Sequence, residues 1–165
     1  SHYLYTYYKQ IRENSGVQLL FSAYLRSHEG TYKAQAYRRL PPHRLLKYYV
    51  KLANPVPMLT ACVSRGILTR FRFEAINHED YIFWHDIIAE LKLKEIFTTQ
   101  EPLGCYTVSA SSISGNKFKA AFWIWKCYKR FGYSMPTALL ALCARGSIQI
   151  ILLFSQIADK RPYWR

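Results

Sequence analysis

The stretch Asn77-His78-Glu79-Asp80-Tyr81-Ile82-Phe83-Trp84 sets two adjacent carboxylates, Glu79 and Asp80, just ahead of a run of apolar residues. From Asp80 onward Tyr81, Trp84, Ile87, Ile88 and Leu91 recur at three- and four-residue spacing, which predicts a helix with one buried face reaching to about Leu93. Asp80 then falls in the first turn, where the positive end of the helix dipole favours an ionised carboxylate. A carboxylate held there can take a proton at neutral pH without a histidine beside it. The same residues also fit a purely local task. Asn77 stands three residues before Asp80, the spacing of a capping box, in which a carboxylate only satisfies orphan backbone donors. Local pattern leaves both roles open.

The elements around this helix follow from periodicity and from the breakers. Residues 3–13 read as helix, ended by the turn chemistry of Asn14-Ser15-Gly16. Residues 17–25 read as a buried strand, 27–31 as a polar turn, and 32–37 as a second, exposed extended segment. Pro41-Pro42 opens a short helix with Leu45, Leu46, Tyr49 and Leu52 at helical spacing, and Asn54-Pro55-Val56-Pro57 forbids its continuation. Residues 58–64 are expected to form a third strand, with a shorter one near 69–73 in the link to the Glu79-Asp80 helix. Beyond that helix, Ile96-Phe97-Thr98-Thr99 and Cys105-Tyr106-Thr107-Val108 are extended runs separated by Pro102-Leu103-Gly104 and are expected to close the sheet. A small-residue loop, 109–115, leads to a basic and aromatic helix over 117–131. No internal repeat is present.

The order of these pieces resembles the C-terminal half of bacterial family 2 glycosyltransferases, inverting enzymes of the GT-A type. The likeness is carried by Glu79-Asp80-Tyr81 with Phe83-Trp84 on a helix, then Glu101-Pro102-Leu103-Gly104-Cys105-Tyr106, then Ser112-Ile113-Ser114-Gly115-Asn116-Lys117. Upstream, Leu19-Leu20-Phe21-Ser22-Ala23-Tyr24 resembles the strand after that family's metal-binding acidic motif, and Met58-Leu59-Thr60-Ala61-Cys62-Val63 the strand before its Glu-Asp helix. The resemblance covers roughly residues 10–132. It implies an α/β fold, the C-terminal half of a GT-A type mixed sheet flanked by helices. It also implies transfer of a sugar from a nucleotide-diphosphate sugar to the hydroxyl of a saccharide or lipid-linked acceptor, as in polysaccharide biosynthesis. Asp80 would be the general base, and Glu79, Trp84, Tyr106, Ser112, Ser114, Asn116 and Lys117 would shape the acceptor and donor pockets, with Trp84 able to stack on a sugar face. Two departures stand out. Thr107 occupies the position where the family usually has arginine, and neither an Asp-x-Asp motif nor a Gly-rich phosphate loop occurs anywhere. The nucleotide-binding half and the ligands of its Mg or Mn ion are therefore expected upstream of Ser1, and this chain alone is expected to be inactive.

Composition sets the outer bounds. The chain of 165 residues is half hydrophobic, enough for one compact core, and carries a formal charge of +13. Twelve Lys and Arg oppose only Glu13 and Glu29 in residues 1–73, while seven of the ten acids lie between Glu74 and Glu101. A basic body with one acidic centre seeks an anionic partner: a diphosphate, acidic lipid or nucleic acid. Cys62, Cys105, Cys127 and Cys143 form no C-x-x-C pair, and the five histidines have no ligand spacing, so reduced thiols, no metal site and a cytoplasmic setting are expected. Residues 133–165 read as a helical extension. Lys117, Lys119, Lys126, Lys129 and Arg130 interleaved with Phe118, Phe122, Trp123, Trp125, Tyr128 and Phe131 suit a membrane interface, which the bacterial resemblance implies would be the cytoplasmic face of the inner membrane. Arg145 and Gly146 inside the apolar run 137–158 favour an interfacial or protein-packed helix over a spanning one. A non-catalytic basic module binding RNA or anionic membrane is the alternative, although no nucleic-acid-binding motif is present and nucleic acid is not expected as partner.

Overall fold

The structure is a computed structural model that describes residues 2–28, 36–74, 78–108 and 117–158. It is an α/β arrangement built on two three-stranded sheets, each with mixed strand directions. In the first, β1 (Leu19–Ser22) lies between antiparallel β4 (Cys62–Val63) and parallel β5 (Ile96–Thr99). In the second, β2 (Tyr24–His28) lies between antiparallel β3 (Ala36–Arg38) and parallel β6 (Cys105–Val108). The apolar run that reads as one strand is thus two, and the break is Ala23. Its N–H donates to the Thr99 carbonyl at 2.9 Å and its own carbonyl accepts from Leu103 N–H at 3.3 Å, so the two paired strands turn together from one sheet into the next. The pairing offset grows from 77 residues (Leu19 with Ile96) to 80 (Leu25 with Cys105), and the three extra residues are taken up in the 100–104 link.

Leu19, Leu20 and Phe21 are fully buried, as a central strand covered on both faces requires. One cover is α1 (His2–Glu13), whose Tyr7 hydroxyl donates to the Thr60 carbonyl at 2.7 Å, while Thr60 Oγ1 donates to the Ser22 carbonyl at 3.0 Å. The other is α4 (Glu79–Glu90), which buries Tyr81, Ile82, Phe83, Trp84, Ile87 and Ile88. Tyr81 donates to the Val50 carbonyl at 2.9 Å, tying α4 to the end of α2 (Leu46–Tyr49). Burial of that phenol raises its pKa far above the ordinary value, so it stays a hydrogen-bond donor at every physiological pH. Helices α5 (Lys117–Arg130) and α6 (Met135–Ala158) close the core with Cys127, Tyr128, Ala138 and Ala141. The Leu52 carbonyl accepts from both Tyr128 Oη at 2.6 Å and Arg145 Nη1 at 3.1 Å, so both helices grip the segment that leads to Asn54.

Three expected elements differ. Residues 58–60 form a 3₁₀ turn, leaving only Cys62–Val63 as strand; the turn lets the Thr60 hydroxyl donate to the Ser22 carbonyl of β1. Residues 65–70 are helical (α3, Arg65–Arg70) and 71–74 are irregular, where a short strand near 69–73 was expected; Ser64 in extended conformation precedes the helix and Ile67 is its buried residue. The helix opening at Pro41-Pro42 is a 3₁₀ turn (His43–Leu45) continuing into α2. Among the described residues no helix is long and apolar enough to cross a membrane.

Candidate functional site

At the start of α4 the chain passes through His78 in the left-handed region (φ 64°), and the His78 carbonyl accepts from Tyr81 N–H at 3.0 Å. No side chain caps the helix at His78, and Asn77 lies outside the described residues. Asp80 does not serve the helix end in the hydrogen bond that holds it. Its Oδ2 accepts from Asn54 Nδ2 at 2.9 Å, across 26 residues of sequence. Asn54 in turn accepts from Val56 N–H on Oδ1 at 3.0 Å, which fixes the amide so that its NH₂ must face the carboxylate. Asn54-Pro55-Val56-Pro57, which reads in sequence only as a helix breaker, is therefore the cradle of Asp80.

Asp80 lines an open cleft of about 800 Å³. It is lined by the Asn54–Leu59 segment, by Tyr24, Arg38 and Tyr106 of the second sheet, and by Tyr49 and Gln149. Register places Tyr24 opposite Arg38, and Arg26 opposite Tyr106, on one face of that sheet, with the Tyr24 and Tyr106 rings edge to face at 6.5 Å. Burial lowers the Arg38 pKa, as expected of a cation partly removed from water, and the neighbouring Arg26 charge adds to the effect. The same burial raises the Tyr49 pKa.

The predicted residues separate. Asp80 and Tyr106 both line the cleft. Trp84 does not: it is 2% exposed, its indole N–H directed at Met58 Sδ at 3.2 Å, so its ring cannot stack on a sugar in this arrangement. Glu79 is exposed beside Asp80 at the helix start. Ser112, Ser114 and Asn116 lie outside the described residues, and Lys117 is the first residue of α5. Sequence reasoning missed Asn54, Arg38, Tyr24, Tyr49 and Gln149 as cleft residues. The one signal it held was an asparagine ahead of two prolines, too common in loops to single out.

Among the described residues no group of three or more His, Cys, Asp or Glu side chains could hold a metal ion. What the cleft offers is a carboxylate with one oxygen fixed by an amide, aromatic walls and guanidinium groups. That set can hold a polyol, take a proton from one of its hydroxyls and neutralise an anion nearby.

No family model matches the chain, and no solved structure matches it significantly. It is similar to an uncharacterized glycosyltransferase of Haemophilus influenzae, 33% identical over 75 residues. The match takes in 46% of this chain and 30% of that protein's length. An α/β chain with mixed sheets and a carboxylate in its cleft is, by this likeness, related over the matched part to a glycosyltransferase.

Proposed function

We propose that this chain forms the acceptor-binding half of an inverting glycosyltransferase of the GT-A type, with Asp80 as general base. The observation that carries the reading is the Asn54–Asp80 hydrogen bond of 2.9 Å. A capping carboxylate would turn back to the helix backbone, whereas this one is held from outside the helix and lines a cleft. With Oδ2 fixed, Oδ1 is left to accept the acceptor hydroxyl proton as that oxygen attacks the anomeric carbon and the nucleoside diphosphate departs from the opposite face. Glu79 and Tyr106 would contribute to the acceptor and donor pockets. The nucleotide-binding half, and with it the divalent ion, belongs to residues outside this chain.

The outer surface suits a place beside anionic lipid, on the cytoplasmic face of the inner membrane, where a lipid-linked or polysaccharide acceptor would be met. Met135, Leu139, Leu140, Ile150 and Ile151 are exposed along α6, and Phe122 is exposed on α5. Lys126 covers the Phe122 ring at 4.8 Å, an amphipathic pairing typical of an interface.

The stereochemistry of the product tests the reaction. With an α-linked nucleotide sugar, NMR of the first product formed by the full-length protein should show the β anomer. An α product would require a double displacement or a front-face route and would contradict Asp80 acting as general base in a single in-line displacement.

A further inference from the structure

One face of the second sheet combines two guanidinium groups with two phenol rings. Strand β2 contributes Tyr24 and Arg26, β3 contributes Arg38, and β6 contributes Tyr106, all brought to the same side by register. Arg38 is half-buried and lines the cleft that holds Asp80. Among the described residues no carboxylate lies within ion-pair distance of Arg38 or Arg26. The acids near α4 are engaged elsewhere: Glu74 and Asp86 with Arg130, and Glu90 with Arg70. The two arginines are diagonal across the β2–β3 pair, and like charges that close on one half-buried face are relieved by an anion that joins them. A guanidinium is suited to a carboxylate or phosphate because its fork can donate two parallel hydrogen bonds to either.

The geometry points to an anionic acceptor: Arg38, supported by Arg26, binds a carboxylate or phosphate group on the same molecule whose hydroxyl is deprotonated by Asp80. This rests on the acceptor reading of the cleft and adds the acceptor's chemical class. The tyrosine rings serve as the apolar platform for the sugar ring that carries the charge. A neutral saccharide would leave both guanidinium groups without a counter-charge, so it is discriminated against.

Binding can be read without catalysis, by calorimetry of the full-length protein with small probes: glucuronate, glucose 6-phosphate, glucose and uridine diphosphate. Both anionic sugars are expected to bind and glucose is not, and the tighter of the two identifies whether the natural group is a carboxylate or a phosphate. Arg38→Gln should weaken both by at least about 10-fold, the scale of one lost charge-assisted bidentate contact. Arg38→Lys should retain part of the affinity, and an unchanged melting temperature in either variant establishes that the fold is intact. Uridine diphosphate binding should be the same in wild type and Arg38→Gln. Glucose binding as well as the charged sugars, no binding by any sugar probe, unchanged affinity in Arg38→Gln, or an Arg38-dependent loss of uridine diphosphate affinity would each overturn the proposal. Failure of the transferase reading is separable. It would show as absence of sugar transfer in a protein that still binds these anions through Arg38.

Discussion

Asp80 sits in the first turn of α4 but is held from outside that helix, by an amide that is itself held. Asn54 reaches it from a different segment, and its amide is oriented by Val56 N–H, a relation that no spacing rule encodes. Arg38 was hidden for the same reason: one of twelve basic residues in a basic region, it is distinguished only by the strand register that turns it toward the cleft. Trp84 shows the converse. An indole near a carboxylate suggests sugar stacking, yet the same helical spacing that placed it also pointed it inward. If Asn54 positions the base, Asn54→Ala in the full-length protein should lower kcat by on the order of 10- to 10²-fold, as expected for a misoriented catalytic group. The donor KM should change little, and the two lost hydrogen bonds should cost about 1–2 kcal/mol of stability. A kcat equal to wild type would mean that Asp80 needs no external orientation.

At the scale of elements, α4, β5, β6 and α5 are where periodicity and breakers put them, since each is long or strongly patterned. The errors fall where tertiary contacts override short patterns. The run at 17–25 has strand character throughout and gives no hint that Ala23 is a corner, and 58–60 and 65–70 are too short for their apolar residues to choose between helix and strand. The start of α4 carries its own stored cost. His78 takes a left-handed conformation with a buried Nε2 that has no hydrogen-bond partner among the described residues, its ring edge to face with Trp123 at 5.7 Å. Burial lowers its pKa below the ordinary 6.5, so the folded state holds it neutral while the unfolded chain takes up a proton below that pH. Stability from this residue is therefore complete above about pH 6.5 and is lost as pH falls through the depressed folded value. His78→Asn tolerates the left-handed backbone and removes the titration. Melting curves of wild type and variant should lie apart by a gap that widens as pH drops from 7 to 5, and a constant gap would contradict this account.

At the scale of the whole molecule, the basic body and the α/β class were legible from composition and the order of the pieces, while the packing of α6 into the core and cleft was not. Ala138 and Ala141 share the core and Gln149 lines the cleft, so deleting 134–165 to test membrane contact would also damage the fold. The informative variant instead replaces exposed Leu139, Leu140, Ile150 and Ile151 by serine, leaving the buried face of α6 alone. Flotation of wild type with anionic vesicles should exceed that with neutral ones, because each basic residue near the surface adds roughly 1 kcal/mol. The serine variant should lose most of that recovery; equal recovery from both lipid types, or no loss in the variant, would remove lipid contact from the account. The central claim, however, is chemical, and Asp80→Asn in the full-length protein tests it most directly. The amide keeps the size of the side chain and an oxygen able to accept from Asn54, and asparagine is itself tolerated at helix starts, so a structural role would cost about 1 kcal/mol or less and leave turnover intact. Steady-state transfer rates should fall by about 10²- to 10⁴-fold with the nucleotide-sugar affinity nearly unchanged, the signature of a lost general base. Transfer at close to the wild-type rate would show that Asp80 only supports its helix, and that the mechanism proposed for this cleft is wrong.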